Sequence, residues 1–118
     1  MKDAFGSYVR QKREALRASD PRFSVRQVAR RIGIEPAYLS KIERGDQPPP
    51  SEETIRRLAA ELGEDPDLLL ALAGKVSADL QAVIRKRPRL FAELIRELAR
   101  VPDEGLVKLV REVRDGEW

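Results

Sequence analysis

Four glycines, Gly33, Gly45, Gly63 and Gly74, each close a short stretch in which apolar residues recur every three or four positions. This punctuation constrains the fold more than any other feature. Glycine enters the left-handed backbone region without a Cβ clash and so terminates helices. Each stretch also begins on a helix starter. Ser24 has Gln27 three residues on, a capping-box pattern in which the hydroxyl accepts from the Gln27 amide and the Gln27 side chain reaches back. Pro36 suits a first helical turn, Ser51 a cap, and Asp65-Pro66 a cap followed by a proline at the first position.

The predicted helices follow directly. A first runs from a cap at Asp3 to about Arg17, with Phe5, Tyr8, Val9 and Leu16 on its apolar face. Ala18–Arg22 is read as a loop. The second helix buries Val25, Val28, Ala29 and Ile32, and the third, short one turns Leu39 and Ile42 inward. Pro48-Pro49-Pro50 makes a stiff spacer. A fourth helix carries Ile55, Leu58, Ala59 and Leu62, and a fifth runs through Leu68-Leu69-Leu70 to Ala73. Beyond Gly74, Ser77, Pro88 and Pro102 open three amphipathic helices. Their stripes are Leu80, Val83 and Ile84; Phe91, Leu94, Ile95 and Leu98; and Leu106, Val107, Val110 and Val113. No β-alternation, internal repeat or low-complexity tract interrupts the pattern, so the fold class is all-α.

At 118 residues the chain holds one domain or one domain with an appendage. It buries only about two thirds of its unfolded surface and gains from a partner subunit. The division falls into 1–74 and a C-terminal helical region, 75–118. Histidine and cysteine are both absent, which removes disulfides, imidazole and thiolate metal sites, and histidine- or cysteine-based catalysis. No metal or cofactor is expected, and no enzyme. The acidic pairs Glu52-Glu53 and Asp103-Glu104 stand at predicted helix starts, where they complement the dipole. No apolar run reaches the length of a membrane helix and the N-terminus lacks a signal-peptide core, so the expected setting is cytoplasmic. The net charge of +3 is unevenly spread: residues 1–50 balance to +5 and residues 51–118 to −2. A basic front half suits a polyanion, and a near-neutral back half suits packing or pairing.

The segment VRQVARRIGIEPAYLSKIER, Val25 to Arg44, carries the chemistry. Two helices meeting at a steep angle need a small residue at the crossing, Ala29, and a positive-φ residue at the turn, Gly33. Ile34, Leu39 and Ile42 then close the far side. This is helix-turn-helix spacing, in which the second helix enters the DNA major groove. An ordinary helical hairpin with a glycine cap is the competing reading.

FGSYVRQKREALR, SVRQVARRIGIEPAYLSKIERG, PPPSEETIRRLAAELG and DPDLLLALAG together resemble the xenobiotic-response-element (XRE) family of regulators. YLSKIERG, Tyr38 to Gly45, is the most specific part. The resemblance covers about Phe5 to Gly74. It implies a five-helix Cro/C1-type (lambda repressor-like) DNA-binding domain, here followed by about three C-terminal helices. It further implies a homodimeric repressor of a palindromic double-stranded DNA operator. On that resemblance Pro36, Ala37 and Lys41 fall where base edges are touched, with Ser40 and Glu35 beside them. Ser24, Arg26 and Gln27 fall on backbone phosphate, with Arg44 and Gln47 on the far side. Tyr38 falls either at a phosphate or against the first helix. Arg13 and Glu43 fall on a structural ion pair.

Two departures stand out: a longer loop at 18–23, and Asp46-Gln47-Pro48-Pro49-Pro50 where several relatives carry Lys or Arg. The match does not extend past Gly74. The C-terminal stripes form either a dimer interface, through Phe91, Leu94, Ile95, Leu98, Leu106, Val110 and Val113, or a cap on the monomer core. Trp118 either joins that seam or frays. Two alternatives to the repressor remain. One is an antitoxin-like or controller regulator whose tail binds a regulatory protein partner, among them, by analogy, a metallopeptidase that cleaves it. The other is a protein-interaction module that keeps the fold.

Overall fold

The computed structural model describes residues 4–118, and all eight α-helices among them are joined by turns with no strand. The cap expected at Asp3 lies outside the described residues. The helices are α1 (Ala4–Arg17), α2 (Val25–Ile32), α3 (Pro36–Arg44), α4 (Glu52–Leu62), α5 (Pro66–Leu72), α6 (Ala78–Lys86), α7 (Pro88–Leu98) and α8 (Asp103–Asp115). The chain divides into two compact units, 1–77 and 78–118.

In unit 1, α1–α5 enclose a single core. Phe5 and Val9 of α1, Val28, Ala29 and Ile32 of α2, and Leu39 and Ile42 of α3 are buried with Ile55, Leu58, Ala59 and Leu62 of α4 and Leu69 and Leu70 of α5. Each fully buried aliphatic side chain contributes about 1.5–3 kcal/mol relative to exposure. Tyr8, Leu16, Val25 and Ile34 pack at the margin, and Leu68 is exposed. The caps are local. Ser51 Oγ accepts from the Thr54 amide at 3.3 Å and Asp65 from the Asp67 amide at 2.9 Å. Lys75 Nζ donates to the Pro50 carbonyl at 2.8 Å, and Ser77 is buried, so residues just past α5 remain part of unit 1.

Two expectations are corrected here. The stretch read as a loop at 18–22 contains a 3-10 turn, Pro21–Phe23, capped by Asp20, which accepts from the Arg22 amide at 3.0 Å. That turn also halves the capping box. Ser24 Oγ accepts from the Gln27 amide at 3.2 Å as expected, but the Ser24 amide donates to the Pro21 carbonyl and so leaves no donor for the Gln27 side chain.

Unit 2 holds α6, α7 and α8, with α6 packed against α7. It contains no buried residue. Leu80, Val83, Leu90, Leu94, Ile95, Val107, Val110 and Val113 are all exposed, while Phe91, Leu98 and Leu106 are half-buried. Trp118 is 95% exposed, its indole N–H donating to the Val113 carbonyl at 2.9 Å.

Candidate nucleic-acid interface

The geometry around α3 begins with Gly33. At φ +79° and ψ 31° it sits in the left-handed region, and its amide closes α2 while the Ile34 amide reaches the Ala29 carbonyl at 3.0 Å. Glu35 is extended and Pro36 starts α3, so three residues suffice to redirect the chain. Ala29, fully buried, stands in the core with both helices. Gly45, at φ +81°, ends α3 in the same way.

Three features hold α3 in place. Leu39 and Ile42 fill the core. Gly6 of α1 lies so close that a Cβ there would stand 2.4 Å from the Ile42 carbonyl oxygen and 2.9 Å from that of Glu43. Finally, Glu43 is buried and accepts two hydrogen bonds from Arg13, Nε to Oε2 at 2.7 Å and Nη2 to Oε1 at 2.9 Å. Arg13, only 2% exposed, also donates to the Phe23 carbonyl at 3.1 Å. One guanidinium thus ties α1 to α3 and to the 3-10 turn. The Glu43 carboxylate raises the Arg13 pKa further above its ordinary range, against the opposing effect of burial. Such a bidentate pair fixes orientation as well as charge.

With Leu39, Ile42 and Glu43 turned in, the opposite face of α3 carries Ala37, Lys41 and Arg44, all exposed. Pro36 and Ser40 are half-exposed beside them, and Glu35 is exposed. Tyr38 packs against the margin of the core. At the start of α2, Arg26 and Gln27 are exposed and Ser24 is half-buried; Gln47 is exposed beyond α3. Arg44 is not free: its Nε donates to Asp46 Oδ2 at 3.0 Å.

Apart from Arg13 and Arg44, the arginines of unit 1 fall into two sets. Arg22, Arg31, Arg56 and Arg57 are held by Asp20, Glu61, Glu52 and Glu53. Arg31 also lies over the Phe23 ring at 5.3 Å, and Arg57 reaches the Ile32 carbonyl that ends α2. Arg10, Arg17, Arg26, Arg30 and Lys41 have no carboxylate partner among the described residues. The four arginines flank α3, and Lys41 stands on it. Arg10 and Arg17 line a cleft between α1 and α3 together with Ser40 and Arg44. On the other side, Arg26 and Arg30 line a cleft with Ile34, Glu35 and Pro36. A helix face turned outward and flanked by unpaired cations is complementary in charge to phosphate.

A family described as Helix-turn-helix domain matches residues 4–72, more than half the chain and nearly all of unit 1. The chain belongs to the helix-turn-helix domain family. The domain is of the XRE, Cro/C1 type, and it marks a DNA-binding regulator with DNA as partner. Comparison with curated proteins and with solved structures gives no match. Among the described residues no helix is long and apolar enough to cross a membrane, and no cluster of acidic residues could hold a metal ion.

The helix-turn-helix domain brings Glu35, Pro36, Ala37, Ser40 and Lys41 onto one side, with Ser24, Arg26 and Gln27 at the start of the neighbouring helix. Arg10 and Arg17 were not among the residues expected from sequence. Their signal is visible only in retrospect: they lie seven residues apart on α1, hence on one face, and on either side of Arg13.

Proposed function

We propose that the chain is a sequence-specific regulator of transcription that binds double-stranded DNA as a homodimer and represses from a palindromic operator. The observation that carries this reading is the outward face of α3, Ala37, Lys41 and Arg44, bordered on both sides by cations without partners. In this reading Lys41 donates to guanine O6 and N7, Pro36 and Ala37 meet a thymine methyl, Glu35 accepts from a cytosine amine, and Ser40 serves a base or phosphate. Ser24, Arg26, Gln27 and Arg30 hold one phosphate strand. Arg10, Arg17, Arg44, Tyr38 and Gln47 hold the other, with the α2 amides adding donors.

Homodimerisation is supported by unit 2. Nine large apolar side chains, Trp118 among them, are exposed there, and three short helices without a buried residue fall well below what a self-sufficient core requires. Unit 1 exposes only Leu68 and Val76 among its described large apolar residues, and so offers no matching surface. A two-fold dimer reading a palindromic operator meets half-sites about 34 Å apart.

The test selects bound duplexes from a random library and measures the affinity of the best. Lys41→Ala is expected to lose about 1–3 kcal/mol on the selected site and to relax preference at one position. With four unpaired arginines per protomer, the slope of log K against log salt is about −7 for the dimer. Unaltered selection with Lys41→Ala would refute the role given to α3. A second reading, a regulator whose tail engages another protein, rests on the same exposed apolar stripes. Light scattering that finds a monomer at micromolar concentration would favour it.

A further inference from the structure

Unit 2 carries a charge distribution that its own folding does not explain. Arg85, Lys86, Arg87 and Arg89 place four cations in five residues, broken only by Pro88, at the corner where α6 ends and α7 begins. All four are exposed. Elsewhere in residues 78–118, five Lys and Arg face eight Asp and Glu, so the positive charge is gathered at one corner of an otherwise acidic unit. Arg85 donates to Gln81 Oε1 at 3.1 Å, but none of the four has a carboxylate partner among the described residues. Arg89 and Glu93 have the i,i+4 spacing and stay apart, whereas Arg56 and Arg57 use that spacing to pair with Glu52 and Glu53.

Helix electrostatics accounts for half of the cluster. Arg85 and Lys86 lie in the last turn of α6, where cations complement the dipole. Arg87 and Arg89 lie at the start of α7, where the same field opposes them, and no acidic residue stands in that first turn. Mutual repulsion adds to the cost. A polyanion reverses both effects, and three of the four side chains are arginines, which fit phosphate with two parallel hydrogen bonds.

We propose that the Arg85–Arg89 corner is a second, sequence-independent DNA contact that grips backbone phosphates outside the stretch read by α3. The inference rests on the DNA-binding reading of unit 1. Duplex DNA is favoured as the polyanion because the same chain carries, in unit 1, a domain of a DNA-binding family.

The experiment measures binding of the full chain to a 40-bp duplex of mixed sequence and to a 15-bp duplex across a salt series. The variant Arg85→Gln/Lys86→Gln/Arg87→Gln/Arg89→Gln is expected to flatten the salt slope on the long duplex by about 3–4 per protomer, and to bind the short duplex like the parent. Arg85→Lys/Arg87→Lys/Arg89→Lys is expected to keep the parent slope, which separates lost charge from damaged structure. An unchanged slope for the glutamine variant, or a slope lost equally by the lysine variant, overturns the proposal. So does binding of the parent to phosphatidylserine vesicles that the glutamine variant loses while its DNA slope stays intact. Arg26→Gln/Arg30→Gln/Lys41→Gln on the short duplex tests unit 1 separately: undiminished binding there removes the α3 reading whatever the corner does.

Discussion

Gly6 sets how closely α1 approaches α3, and nothing in the sequence around it marks the position as special. A glycine inside a helix reads as a small loss of propensity, and only the crossing of two backbones reveals its use. Because the obstacles to a Cβ are the carbonyl oxygens of Ile42 and Glu43 rather than mobile side chains, Gly6→Ala must move a helix. We expect a loss of about 1–3 kcal/mol in denaturant unfolding, with weaker DNA binding at temperatures where the variant is still folded. Glu43→Ala leaves Arg13 buried with its chief partner gone and is expected to cost about 3–5 kcal/mol by the same measurement. The resemblance pointed to those two residues, but no spacing rule shows that the Phe23 carbonyl completes the arrangement. Asp46 is the counterweight to Arg44. Asp46→Asn is expected to free that guanidinium and to steepen the salt slope of DNA binding by about 1 per protomer.

At the scale of elements, the helices were legible because their signals are local: a cap or proline at the start, a glycine at the end, an apolar stripe between. The 3-10 turn was not, since Asp20-Pro21 reads equally well as an irregular loop. Its effect on the Ser24 amide could not be foreseen without it. Arg10 and Arg17 escaped for a related reason: which face of α1 borders α3 depends on a crossing angle that periodicity does not give. One tie between elements also lies outside the apolar pattern. The Tyr8 hydroxyl of α1 donates to Glu64, just past α4, with Lys12 nearby. The Tyr8 bond, the Asp65 amide and Lys12 hold Glu64 below its ordinary 4.5, while Glu64 raises Tyr8 above 10.0. A depressed carboxylate contributes stability above its unfolded pKa and loses it as pH falls through the folded one. A raised phenol contributes below its unfolded pKa and loses it as pH rises through the folded one. The destabilisation caused by Tyr8→Phe should therefore be constant between about pH 5 and 9 and shrink at more acidic pH; thermal melts of parent and variant at matched pH check it.

At the scale of the molecule, every buried apolar side chain among the described residues belongs to unit 1, between Phe5 and Leu70. A chain ending at Ser77 is expected to remain folded, since the Lys75–Pro50 hydrogen bond and buried Ser77 lie within it. It is also expected to run as a monomer in light scattering if unit 2 supplies the dimer contact. An unfolded fragment would show that unit 1 depends on the helices beyond it. The apolar stripes of unit 2 were visible in sequence, but a stripe does not say what covers it, and the structure leaves Leu94, Ile95 and Val110 facing solvent. The contrast between the two units has a calorimetric consequence. Helices without an interior unravel at little expense in enthalpy, whereas the well-filled unit disorders in one steep step, so heating should produce a shallow early endotherm ahead of a sharp one. If copies of the tail associate, only the early event should climb with protein concentration, and one melting temperature quoted for the whole chain would describe neither process.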